Sequence, residues 1–326
     1  SKAQEINCSN PDIDLRLGLL MALQARLRNI RTQDKCVKLL ESTDRKLNNE
    51  RSKAVLALAK GELKELSLPY DSARIHLYPD LENITTYVLL EQGDWFEKSD
   101  LNLFRSIIRP DDTVFDLGAN VGPYSISAAV RTEGKVIAVE PALQTFELLN
   151  RSASQFPNMT AICAAISDKP GAAFLSHGGS SENFRLSDDN ATQGEKVPLV
   201  TVDDIAAEHG IESVDIIKMD VEGHELKALA GAKKIISSGS PIIFYEVMHL
   251  DDLHPELIDA FKELGYDSYF TLPDAKTIVK YNKDIPIDEY PLNMIAIRPE
   301  SLRRLEGLVD IEQSQTDVPK DMAAIM

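Results

Sequence analysis

The sequence predicts an α/β fold, a largely parallel sheet with helices on both faces, preceded by a helical N-terminal region. Three stretches predict it. Thr113 to Gly122 reads as a buried strand (Val114, Phe115, Leu117), a tight turn permitted by Gly118 and Gly122, and then a helix over Pro123 to Val130. Lys135 to Glu140 is a second apolar strand ending in a carboxylate, and Val214 to Asp220 is another that runs into the polar segment Val221 to Glu225. Strands alternating with helical patterns in this way specify βαβ units and parallel pairing.

The chain has 326 residues, 43% of them hydrophobic, enough for a full α/β domain and an appendage. Cys8, Cys36 and Cys163 are widely spaced and form no Cys-x-x-Cys pair, which argues against a disulfide framework and a thiolate zinc site. The apolar run Leu17 to Leu23 follows Asp12 and Asp14 and lacks a cleavage pattern, so no leader and no membrane span are expected, and the expected location is cytoplasmic. The formal net charge of −17 divides into +4 over residues 1–75 and −21 over the rest. So acidic a portion repels phosphate backbones, which disfavours nucleic acid as a partner; a solvated, solubilising surface is its plain meaning.

Asn10 and Pro11 form an N-cap with proline at the first helical position. Leu20, Leu23, Leu27, Ile30 and Val37 then recur at three- and four-residue spacing as in one long amphipathic helix, with Asp34 interrupting the seam. Past a polar stretch from Asp44 to Arg51, Val55, Ala59, Leu63 and Leu66 continue a helical pattern until Leu68-Pro69. Residues 1–74 therefore read as a helical hairpin or coiled-coil-like region that packs on the main domain or contacts a second copy or a partner. Residues 75–309 form the main domain and 310–326 a weakly ordered tail. Within the domain, Ile75 to Tyr78 and Tyr87 to Leu90 suggest two strands around a polar turn, and Asp100 to Ile108 a helix. A helix over Thr145 to Gln155, a third strand over Met159 to Ile166 and a strand over Ala172 to Ser176 precede His177 to Gly194, a polar stretch long enough to serve as a lid or substrate loop. Then come a strand at Val197 to Val202, a short helix to His209, and, past Asp220, a helix bearing Leu226, Leu229, Ala230 and Ile235. Pro241 to Val247 is a strand, Pro255 to Leu264 a helix, and strands over Asp267 to Thr271 and Leu292 to Ile297 suit an antiparallel ending.

The segment Asp116, Gly118, Ala119, Asn120 and Gly122 brings backbone close to a ligand and aims a helix N-terminus at it. Its Asp-x-Gly-x-x-x-Gly spacing does not meet the three-glycine dinucleotide fingerprint, which disfavours a nicotinamide cofactor. Glu140, 24 positions beyond Asp116, stands where a carboxylate accepts both hydroxyls of a ribose; beside Pro141 it also suits a helix start. A cofactor with an amine and a ribose diol but no pyrophosphate matches this pair, and S-adenosyl-L-methionine is such a molecule. Ala165 and Ile166, at the end of the third strand, are candidates for an adenine wall. A second cluster gathers Asp220, Glu222 and His224 with Glu246 and His249, candidate bases for an acceptor hydroxyl, Asp220 also lying beside the cofactor. In the plainer alternative Glu222 and Glu225 stabilise a helix dipole and Lys218 pairs with Glu246 across neighbouring strands. A divalent metal on Asp220 and Glu246 stays open, because two oxygen ligands do not define a site.

With these motifs in place, the chain from about Trp95 to Arg298 resembles the FkbM family of S-adenosylmethionine-dependent methyltransferases, within the seven-stranded, Rossmann-like class I methyltransferase fold. Asp116-Leu-Gly-Ala-Asn-Val-Gly122, Glu140-Pro141 and, most specifically, Ile217-Lys-Met-Asp-Val-Glu-Gly-His-Glu225 carry the likeness. Asp94 to Glu97 and Asn293 are similar to family positions too, and residues 1–74 lie outside it. The resemblance implies O-methylation of a hydroxyl on a sugar, a glycan or a polyketide-type natural product. It gives His224 no catalytic role, because that position varies in the family's motif, and it leaves metal dependence open. The competing function is a catalytically silent cofactor-binding or scaffolding module whose helical N-terminus holds a partner. Carboxylates at strand ends count against silence, since scaffolding does not require them there.

Overall fold

A computed structural model describes residues 10–28, 34–95, 97–177, 184–187, 194–249, 252–272, 276–283 and 293–312. They divide into two compact units, one within residues 1–96 and one built from 97–176 and from 184 onward.

The first unit holds α1 (Pro11–Leu27), α2 (Asp34–Leu47), α3 (Glu50–Lys60), β1 (Leu66–Tyr70), β2 (Ala73–Leu77) and α4 (Ile84–Gln92). The single long helix expected through Val37 is thus two helices, with residues 29–33 outside the described chain. A Cβ on Gly18 would lie 2.3 Å from Leu40 Cδ2, so the glycine lets α1 and α2 approach closely. The expected polar break at Asp44 to Arg51 narrows to Asn48, at φ 47°, and Asn49, whose side chain accepts the Ser52 N–H. Leu66 belongs not to a helix but to a hairpin: β1 and β2 pair antiparallel around Asp71 and Ser72, both at positive φ. The division at residue 74 falls inside its second strand. Tyr87 to Leu90 is helical rather than extended. The Asn83 side chain caps the Thr86 N–H and Gly93 closes the other end in the left-handed conformation, which outweighs the β preference of the apolar run.

The second unit runs α5 (Lys98–Ile107), β3 (Val114–Leu117), α6 (Pro123–Ala129), β4 (Val136–Val139), α7 (Leu143–Ala153), β5 (Met159–Ile162), β6 (Ala165–Ile166), β7 (Gly171–His177), β8 (Phe184–Ser187) and β9 (Glu195–Val200). It continues with α8 (Val202–Glu208), β10 (Ile216–Met219), α9 (Glu225–Ala230), α10 (Lys233–Gly239), β11 (Ile242–Glu246), β12 (Met248–His249), β13 (Asp252–Leu253) and α11 (Pro255–Glu263). Strands β14 (Asp267–Thr271), β15 (Thr277–Lys280), β16 (Asn293–Ile297) and β17 (Asp310–Glu312) complete it. The main sheet has the order β17-β15-β14-β16-β11-β10-β3-β4-β5. From β11 to β5 it is parallel, as the alternating pattern requires, and β16 and β14 add the antiparallel ending. β15 was not foreseen, and β17, which pairs with it, occupies what reads in sequence as the start of the tail. The expected third strand splits, because after Ile162 the chain leaves the main sheet and Ala165 and Ile166 pair with β9 in a smaller one. β8 lies within the stretch expected to be a lid, whose residues 178–183 and 188–193 are outside the described chain.

Phe115, Leu117, Ile137, Val139, Ile217 and Tyr245 anchor an apolar core with residues of α8, α9 and α11. At the amino ends of the strands Arg304 pairs with buried Asp112 and approaches Asp215, whose other oxygen accepts the Thr113 N–H at 2.9 Å. This clamp leaves the carboxyl ends for other work.

Candidate active site

The strand order reverses between β3 and β10: β3 connects outward to β4, whereas β10 connects the other way to β11. Ligands of open α/β sheets gather at such a switch point, outside the carboxyl ends. There Gly118 turns at φ 80°, Asn120 at φ 51° and Gly122 at φ 93°, and α6 starts behind them with Pro123 at its first turn. The Gly118 and Ala119 N–H groups both donate to Val139 O at 2.9 Å, tying the turn to the end of β4. Glu140 locks it further. Its Oε2 accepts the Asn120 N–H at 3.0 Å and its Oε1 the Ala142 N–H at 2.9 Å. Burial lifts the Glu140 carboxyl to about 7, against the pull of those two bonds. Asp116, buried beneath the turn, accepts from the Ser125 hydroxyl, and burial lifts it to about 6.

Across the switch point, Lys218 is buried at 2% exposure. Its Nζ donates to Asp220 Oδ2 at 3.2 Å and Asn293 Oδ1 at 2.9 Å, and it lies 5.2 Å from the centre of the Tyr124 ring. The expected Lys218–Glu246 pairing is therefore replaced by bonds to Asp220 and Asn293. Burial pulls the lysine down, but the carboxylates of Asp220, Glu97 and Glu246 more than offset this and hold it charged. Asn293 passes the contact on, its amide donating to Glu97 and, at 3.3 Å, to Asp100 Oδ2; Tyr124 also donates to Glu97 at 3.1 Å. Burial, then Glu97, lifts Asp100 to about 6. Asp100 and Tyr124 escaped the sequence reading, although Glu97 and Asp100 stand three apart at the start of a helix and so share a face.

The remaining candidates separate. Asp220 is 31% exposed in its side chain and so partly open. Glu246 is in register with Asn293, and burial, then Asp220, lifts its pKa well above the carboxylate range. Glu222 sits at φ 53°, next to Gly223 at φ 87°, in the turn after β10. Glu225 accepts the Val221 and Gly223 N–H groups at 3.1 and 3.2 Å and so shapes that turn. His224 precedes α9 without capping it, and the backbone of His249 pairs antiparallel with Asp252. Ala165 and Ile166 are each 2% exposed and pack in apolar clusters, Ala165 together with Ala142. Among the described residues no three His, Cys, Asp or Glu side chains are grouped to hold a metal ion, and no helix is long and apolar enough to cross a membrane.

A mostly parallel sheet with this switch point, an antiparallel ending and helices on both faces is the class I methyltransferase fold. Residues 116–268, just under half of the chain, match the sequence profile of the methyltransferase FkbM domain. The hexuronic acid methyltransferase AglP of Haloferax volcanii is 24% identical over 157 residues, which make up 45% of this chain and 61% of that protein. A methyltransferase FkbM from Methylobacillus flagellatus superposes with a TM-score of 0.40 at 15% identity, over 65% of this chain and 52% of the other. A SAM-dependent O-methyltransferase from Thermotoga maritima gives a TM-score of 0.38 at 11% identity, over 74% and 81%. The chain thus spans 61% of the curated relative and about half of the first solved structure.

Proposed function

We propose that this methyltransferase uses S-adenosyl-L-methionine to methylate a sugar hydroxyl. The observation that carries the proposal is the meeting, at one switch point, of the glycine turn braced by Glu140 and a partly open Asp220 bonded to Lys218. The residues suit the cofactor. Asp116 and Glu140 are buried carboxyls whose raised pKa values a cationic ligand would reverse, and each Glu140 oxygen, holding one backbone donor, keeps capacity for a ribose hydroxyl. When bound, the cofactor supplies a methyl group on a cationic sulfur that leaves with the carbon–sulfur bonding pair. Asp220 takes the proton of the acceptor hydroxyl as that oxygen bonds to the methyl carbon. Lys218 donates to one Asp220 oxygen and fixes it in place. Glu222 is the alternative base. Glu246, protonated at neutral pH, positions rather than accepts. The sugar acceptor is supported by the Haloferax volcanii relative, named as a hexuronic acid methyltransferase, and by the family resemblance that the Lys218-Met-Asp-Val-Glu222 stretch carries.

Titration calorimetry with S-adenosyl-L-methionine and with NAD decides the cofactor. Binding of NAD alone would reject the proposal, and Glu140→Ala should weaken the former by roughly 1.5–3 kcal/mol. To residues 1–74 we assign assembly or acceptor docking, supported by the exposed Ile13, Leu17, Leu20 and Leu27 of α1. A Leu17→Glu/Leu20→Glu variant with unchanged sedimentation and turnover would remove that assignment.

A further inference from the structure

We infer that the sugar residue receiving the methyl group is uncharged, a neutral hexose-type unit and not a uronic acid. This rests on the O-methyltransferase proposal above and narrows its acceptor class. Glu97 and Asp100 share the Asn293 amide, Asn293 accepts from Lys218, and Lys218 donates in turn to Asp220, while Glu246 stands in register with Asn293 on the neighbouring strand. Four carboxyl groups, of which Glu246 is held in its protonated form, thus gather about one ammonium, and Asp116 and Glu140 lie buried at the ends of the next two strands. Lys218 donates into this group from its centre, and Glu246 Oε2 is buried without a hydrogen-bond partner.

The titration behaviour agrees with that geometry. Burial and then neighbouring carboxylates lift Asp100 and Glu246, and Lys218 is the cation that pulls both back. Glu140 is lifted by burial, with further push from Asp116 and Asp220. A cationic methyl donor relieves the excess negative charge. An acceptor carboxylate would add to it in a poorly solvated site, and like charges brought together there select against the partner that carries one. Holding a carboxylate also calls for a fork of donors, which arginine supplies best. The sequence has no arginine between Arg185 and Arg298, the span that delivers the ends of β10 and β11. A hexuronic acid, the acceptor for which the Haloferax volcanii relative is named, therefore does not match this cluster.

The test uses the purified full chain with labelled S-adenosyl-L-methionine and a heat-treated extract of the source cells as acceptor pool. Labelled product is treated with mild alkali, hydrolysed to monosaccharides and passed over an anion exchanger at neutral pH. We expect roughly tenfold more label in the unretained neutral sugar than in the retained fraction. Label held back as an O-methyl uronic acid, or lost to alkali as methanol from a carboxyl ester, overturns the inference and leaves methyl transfer standing. Label in no monosaccharide and no methanol overturns the sugar O-methyltransferase proposal itself, and the inference falls with it.

Discussion

A Cβ placed on Gly118 would lie 1.7 Å from the carbonyl oxygen of Asp220. The first glycine of the turn is therefore not only a residue that tolerates φ 80°. It is the condition for β3 and β10 to end side by side. Gly118→Ala must push backbone against backbone at the switch point, and should cost roughly 2–4 kcal/mol of stability along with cofactor binding. At Gly122 the missing Cβ would meet Leu149 Cδ1 at 2.7 Å, the movable tip of a side chain. Gly122→Ala should therefore cost less, about 1 kcal/mol, mainly from its positive φ. Urea denaturation of the two variants checks the order, and equal losses would contradict it.

Lys218 gives a second prediction. It is the buried centre on which Asp220, Asn293 and, through Asn293, Glu97 and Asp100 depend. Lys218→Met fills much the same volume but strands several carboxylates, and breaking a buried pair from one side costs roughly 3–5 kcal/mol. Adding Glu97→Gln to it should recover part of the loss, because one uncompensated charge is removed. A double mutant no more stable than Lys218→Met alone would mean the network does not couple these residues.

The sequence made the glycine turn, Glu140 and Asp220 legible because each is a local pattern, a residue type at a strand end. Asn293 and Glu97 showed only as family positions, since the bond between them spans 196 residues and no periodicity reports such a pair. Tyr87 to Leu90 was misread for another reason. Four apolar residues satisfy strand and helix alike, and the caps that decide, Asn83 and Gly93, lay just outside the run. Met159 to Ile166 was read as one strand because its apolar run is continuous, whereas the chain leaves the main sheet after Ile162 and Ala165 and Ile166 pair with β9.

Asp116 and Glu140 make stability and cofactor affinity depend on pH in opposite directions. In the folded, ligand-free protein they titrate at about 6 and about 7, against ordinary values of 3.8 and 4.5. Between those limits the folded state binds more protons than the unfolded one, so stability falls as pH rises. Their contribution is complete below pH ~4 and lost by pH ~7.5, on the order of 3 kcal/mol each. Glu140→Gln should flatten the fall between pH 5 and 8. Affinity for S-adenosyl-L-methionine should instead rise over pH 5.5–7.5 with release of protons, measurable by calorimetry in buffers of different ionisation enthalpy. Proton uptake on binding would contradict it.

The last prediction separates two carboxylates that the sequence could not rank. Asp220 is partly open and accepts a hydrogen bond from the Lys218 ammonium. Glu246 is more deeply enclosed, has an oxygen without a hydrogen-bond partner, and is pushed by burial and by Asp220 toward its protonated form. A base must be ionised before it can take a proton, so the two should respond oppositely to loss of charge at neutral pH. Asp220→Asn should lower turnover by roughly 10²–10⁴-fold while cofactor affinity changes little. Glu246→Gln replaces an already neutral carboxyl with a neutral amide and should leave turnover within about threefold. The contrast also speaks to Lys218: with Asp220 gone the lysine keeps Asn293, so Asp220→Asn should lose less stability than Lys218→Met, and its activity is read as chemistry at a temperature where urea denaturation shows it folded. Single-turnover methyl transfer at saturating cofactor, with and without a chelator, measures both variants. Similar losses in the two, or a loss only in Glu246→Gln, would move the base from β10 to β11.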